Sequence, residues 1–176
     1  MRCRLFRCAV VVAAAAVAST GCVGEGPTPV DGGDDVVAVS DFDVELGTGR
    51  TVFRPLTAGD DLLLERGFQG LQHVLVGVRT TALTPGRYVV TPELARVRDD
   101  VVVSEPTSIR VPLTDGDESG AATFVGMQLV IGEPDGVVGE DCVLHLSVED
   151  DDLGLGFDVV EVHVEWAPDG WNPDVE

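Results

Sequence analysis

The feature that most constrains the fold is an alternation of apolar and polar residues with a period of two. In VSDFDVELG, Phe42, Val44 and Leu46 alternate with Asp41, Asp43 and Glu45. Successive side chains of an extended strand point to opposite faces, so such a run buries one face and wets the other. Further runs follow at RTVFRPL, DLLLE, LQHVLVGVRTT, RYVVTPELARV, DVVVSE, TSIRVPL, ATFVGMQLVIG, CVLHLSVE and FDVVEVHVEW. Breaks rich in Gly, Pro and Asp separate them, among them TPGR (84–87), TDGDESG (114–120) and GEPDGVVGED (132–141). Short β-branched runs at this spacing indicate an all-β sandwich or barrel. The best helical candidate, PELARVR at 92–98, is short and flanked by strand runs.

The last two runs pair best as an antiparallel hairpin turning at Gly154. That register places Cys142–Trp166, Leu144–Val164, Leu146–Val162 and Val148–Val160 on one face, with Val143–Glu165, His145–His163, Ser147–Glu161 and Glu149–Val159 on the other. A slip by one residue turns every apolar side chain to the wrong face. TSIRVPL and ATFVGMQLVIG make a second hairpin around TDGDESG. The expected fold is one antiparallel β-sandwich over residues 36–168, with about 8–10 strands. In architecture it resembles the immunoglobulin-like and fibronectin-like sandwich class. It lacks that class's Cys–Trp–Cys framework, and Trp166 sits near the end of the last run.

Residues 1–22 read MRCRLFRCAVVVAAAAVASTGC. Arg2, Arg4 and Arg7 make a basic n-region before an apolar run from Cys8 to Ala18. A bilayer span needs about 20 apolar residues, so this run has the layout of a cleaved signal peptide, residues 1–21. Ser19-Thr20-Gly21-Cys22 resembles a bacterial lipobox, whose cysteine is acylated and becomes the new N-terminus; Ser19 stands where that pattern usually has Leu. The resemblance implies a lipoprotein anchored in the cell envelope through fatty acid, palmitate included, on Cys22. Val23 stands where an Asp favours inner-membrane retention, which implies the outer membrane. A competing reading cleaves after Ala16-Val17-Ala18 and leaves Cys22 a free thiol. Residues 22–35 continue as a Gly/Pro/Asp tether with little to bury, and 169–176 form an acidic tail.

The formal net charge is −20, and three of the eleven basic residues lie in the leader. There is no lysine, and after Arg110 the chain has seventeen Asp and Glu and no Arg. Nucleic-acid binding needs a basic footprint and is excluded as a partner class. The expected partners are the membrane, through the N-terminal lipid, and a protein at the cell surface. Cys3 and Cys8 leave with the leader, so lipid on Cys22 makes Cys142 the remaining thiol, read as a small buried hydrophobe.

Three side-chain groups are candidates for chemistry. In DGDESG, Asp115, Asp117 and Ser119 alternate before Gly120, as in the first half of a calcium loop, yet Gly126 stands where an EF-hand has its bidentate Glu. The alternative is an acidic hairpin turn. His145 and His163, facing each other about 5 Å apart in the register above, can hold Zn or Cu with Glu161 or Glu165, and His73 joins them only if strand order brings it near. The run Glu149–Asp152 is a solvated hairpin tip, and Trp171 in the tail is either open to a partner or a cap on the end of the sandwich. No G-x-S-x-G, H-E-x-x-H or phosphate-binding glycine loop occurs, so the expectation is a protein that is not an enzyme and needs no cofactor, calcium being the alternative.

Overall fold

The structure, a computed structural model, describes residues 40–67, 71–116 and 120–169. Among them lie β1 (Glu45–Thr48), β2 (Arg54–Pro55), β3 (Asp60–Arg66), β4 (Gln72–Thr80), β5 (Gly86–Arg96), β6 (Ile109–Asp115), β7 (Ala122–Ile131), β8 (Asp141–Asp150) and β9 (Gly154–Trp166). The only helical piece among the described residues is the 3-10 turn Pro134–Gly136. No helix there is long and apolar enough to cross a membrane.

The all-β expectation holds, but the sandwich does not. Hydrogen-bonded neighbours run β4–β3–β9–β8–β5–β6–β7, and β7 pairs back onto β4 from Gln72↔Ile131 to Thr80↔Ala122. The sheet therefore closes into a barrel of seven strands. Strands in a ring of seven cannot alternate direction all the way round, so one neighbouring pair has to be parallel. It is β3 with β9, from Asp60↔Val162 to Leu64↔Trp166. β1 lies along the rest of the β4 edge, Glu45↔Arg79 to Gly47↔Gly77, with β2 at its side. Period-two alternation demands one dry and one wet face. A barrel wall and one half of a sandwich both meet that demand, which is why the pattern did not separate them. Closure also removes the open sheet edges that a sandwich keeps.

The core fills the lumen. Leu62 and Leu64 of β3, Val74 and Val76 of β4, Leu94 of β5, Leu113 of β6 and Leu144 and Leu146 of β8 are all almost fully buried. In β7 the inward set changes parity. Phe124 packs against the core before Gly126, whereas Met127, Leu129 and Ile131 do so after it. The cause is a bulge: the β4–β7 register slips between Val76 and Val78, and Gly126 takes φ +78°. One extra residue in a strand flips which face the following side chains occupy, and glycine accepts the left-handed backbone that this needs.

β4 is buried on both faces from His73 to Gly77. Its outward side is covered by the loop between β1 and β2. Thr48 donates to the Leu75 carbonyl at 2.8 Å, the Gly126 N–H donates to the Gly49 carbonyl at 3.0 Å, and Arg79 lies over the Phe53 ring at 4.5 Å. The continuous apolar run VLVGV follows from this double burial.

The β8–β9 hairpin exists with the expected faces and a different register. Cys142 pairs with Val162, Leu144 with Val160, Leu146 with Asp158 and Ser147 with Phe157. The strands are thus shifted by four residues from the expected alignment. An even shift keeps every residue on its face: Leu144, Leu146, Val160, Val162 and Val164 are buried as expected. The turn decides the alignment. Asp150 Oδ1 accepts the N–H groups of Asp152 and Leu153 at 2.9 and 2.7 Å, so residues 151–153 form the loop and Gly154, at φ +94°, opens β9. An Asp that bonds two backbone N–H groups ahead fixes the turn on Asp152, two residues before the centre expected at Gly154. Cys142 therefore faces Val162 and not Trp166, which on the other edge of β9 pairs with Leu64 of β3, with Arg66 stacked over its ring at 4.5 Å.

Candidate functional site

The shifted register separates the two histidines. His145 stands opposite Val159 on one side and Glu93 on the other. His163 stands opposite Asp141, with Asp61 of β3 beside it. Its Nδ1 is 2.8 Å from Asp141 Oδ1 and its Nε2 is 3.2 Å from Glu165 Oε1. The hydrogen bond to Asp141 is the main cause that raises the His163 pKa above its ordinary value, with Glu165 adding to it. The carboxylates sit at opposite ring nitrogens, so their oxygens do not converge on one point. Among the described residues no three His, Cys, Asp or Glu side chains are arranged to hold a metal ion.

His73 is elsewhere, on β4 opposite Glu65 of β3 and Val130 of β7. It is buried, with Nε2 at 3.8 Å from Glu65 Oε2, and that oxygen is held at 2.6 Å by Arg50 from the β1–β2 loop. Burial lowers the His73 pKa against the opposing pull of Glu65. Nε2 of His73 and Oε1 of Glu65 are buried without a hydrogen-bond partner.

Asp115 is the last residue of β6, exposed and paired with Ala122 across the hairpin. Asp117 and Ser119 lie outside the described residues, as do Cys22 and Trp171. In the run Glu149–Asp152, Asp150 serves the turn. Cys142 is a free, buried thiol whose pKa is pushed up to about 11, chiefly by burial and then by Glu140. That suits a small core hydrophobe rather than a nucleophile.

A cleft in the barrel wall went unrecognised in the sequence. The β5–β6 ladder stops at Val90↔Ile109. Beyond it, residues 101–104 take over the same edge of β5: Arg96 N–H donates to Val101 O, Val103 N–H to Leu94 O, and Leu94 N–H to Ser104 Oγ at 3.0 Å. The polar backbone groups of Leu94 and Arg96 thus face this segment, and the two-residue period turns Pro92 the same way. Proline brings no N–H, so the ladder has no donor there. No strand pairs with Pro92 on that side, and residues 105–108 stand off.

The space left is a cleft of about 320 Å³ lined by Thr91, Pro92, Glu93, Val102, Ser104, Glu105, Pro106, Thr107 and Ser108. Thr91 Oγ1 and Ser108 Oγ are hydrogen-bonded at 3.1 Å across it. Glu93 and Glu105 are exposed and have no ion-pair partner among the described residues. The cleft therefore combines an apolar floor with hydroxyls and two uncompensated carboxylates. Its signal was legible: a proline inside the strand run RYVVTPELARV marks an edge or an interruption.

Compared with known protein families and with curated proteins, the chain matches none.

Proposed function

We infer that this is a non-catalytic module of a bacterial cell envelope, held to the outer membrane by lipid on Cys22 and offering its barrel to protein partners. The observation that carries the reading is the order of segments along the chain. A basic start, an apolar run and Ser19-Thr20-Gly21-Cys22 are followed by a Gly/Pro/Asp spacer, and the barrel's first described residue is Ser40. Such a spacer holds a folded unit away from the surface to which its end is attached. The closed wall needs no partner for its edges, so contacts with other molecules are left to the rims, the loops and the cleft.

Metabolic labelling with a fatty acid tests the anchor. Label is expected in the wild-type chain, with a mature N-terminus at Cys22, and is expected to vanish in Cys22→Ala. Label that survives the substitution, or a mature N-terminus at Ser19, overturns the anchor.

A further inference from the structure

Resting on the reading of this protein as a binding module, we propose that the cleft at Pro92 receives a lysine or arginine side chain from an extended, cationic segment of a partner protein. Its walls and its charges match the two ends of such a side chain. Pro106 and Val102, both exposed, supply apolar surface for a methylene stem, as long basic side chains bury their stems and keep the head polar. Glu93 and Glu105, with the hydroxyls of Thr107 and Ser108, supply acceptors for an ammonium or guanidinium head. Among the described residues no arginine lines the cleft. An incoming cation therefore meets carboxylates that it need not take from another partner.

Two observations favour an extended segment over a free small cation. The ladder along β5 is interrupted at Pro92, where residues 105–108 stand off, so the backbone of an extended segment can approach there. Val102 in the cleft wall and Val101 before it are 48% and 45% exposed, an apolar rim for aliphatic residues that flank the cation. Charge selects among occupants. A second copy of this chain carries the same net charge of −20 and has no lysine, and anionic lipid surfaces and nucleic acid are repelled likewise. A basic polypeptide is the occupant with complementary charge.

The test uses the whole chain, expressed with its own leader and held in neutral detergent. The probe is acetyl-Gly-Val-Arg-Val-Gly-amide carrying an uncharged dye, beside the same peptide with citrulline for arginine. Saturable fluorescence anisotropy is expected with the arginine peptide, and binding at least about tenfold weaker with citrulline. Glu93→Gln combined with Glu105→Gln is expected to weaken binding by at least about tenfold. Glu149→Gln combined with Asp151→Asn removes the same charge at the hairpin tip and is expected to change it by less than about twofold. Equal losses in the two double variants reduce the effect to bulk charge and overturn the proposal. So does equal binding of the citrulline peptide, or no binding at millimolar peptide. The fatty-acid label reports on the anchor independently: label present with the cleft silent rejects this partner class and leaves the anchored module standing.

Discussion

Truncating Leu146 to Ala tests the lumen of the barrel where the argument for it is strongest. Leu146 is 1% exposed on the inward face of β8, between Pro92 of β5 and Asp158 of β9 in the ladder. The substitution deletes three buried carbon groups, worth about 0.8 kcal/mol each, or about 2.4 kcal/mol in lost transfer free energy. β8 is hydrogen-bonded on both edges, so the wall cannot collapse freely into the space, and the residual cavity raises the expected loss to about 3–4 kcal/mol. Ser147, the next residue, points outward and is half-buried, so Ser147→Ala is expected to stay within about 0.5 kcal/mol. Urea unfolding of the whole chain followed by circular dichroism reads both, as midpoint changes at constant slope. In a thermal melt the Leu146 variant is expected to fall by roughly 10 °C. A loss below about 1 kcal/mol for Leu146→Ala, or equal losses for the two neighbours, refutes the assignment of faces on β8.

Cysteines introduced at His145 and Val159 are expected to join under mild oxidation in a Cys142→Ala background, whereas cysteines at His145 and His163 are not; the opposite outcome restores the hairpin turning at Gly154. The lowered pKa of His73 means that the unfolded chain takes up a proton first as pH falls below 6.5. His73 therefore withdraws stability on acidification between 6.5 and its folded-state value, and His73→Gln is expected to flatten urea midpoints measured from pH 7.5 to 5.5. An unchanged acid slope in that variant rejects this role. His163 works in the other sense: its raised pKa contributes stability that is full below 6.5 and lost as pH rises through the folded value, so His163→Gln is expected to steepen the acid loss. Gly126→Ala places a Cβ 2.8 Å from the Arg50 carbonyl oxygen at a φ of +78°, and a cost of about 1–3 kcal/mol is expected in the same urea assay. A neutral result there shows that the bulge tolerates a side chain.

Which side chains face the core was decided locally, and the sequence by itself determined it. Leu144, Leu146, Val162 and Val164 are large and aliphatic and alternate with polar residues, so any strand made of them has one possible dry face, whatever its partner. For the same reason Cys142 was legible as a core residue. Alignment along the strands was not legible in this way. Shifting β9 by four residues keeps all faces intact, so hydrophobicity is silent, and the choice fell to Asp150 bonding the N–H groups of Asp152 and Leu153. The His145–His163 pair was lost with that shift.

Closure of the sheet belongs to the tertiary structure alone. Nothing within LQHVLVGVRTT states that both of its edges are occupied, by β7 on one side and by β3 and β1 on the other. Edge pairing is made by backbone groups that every residue carries, so composition does not encode it. The cleft arises between these two cases. Pro92 announces a missing donor in the sequence, but only the barrel places that gap beside Glu93, Glu105 and Val102. Glu93 and Glu105, twelve positions apart in the chain, both line it because residues 101–104 fold back onto the edge of β5 at Leu94 and Arg96.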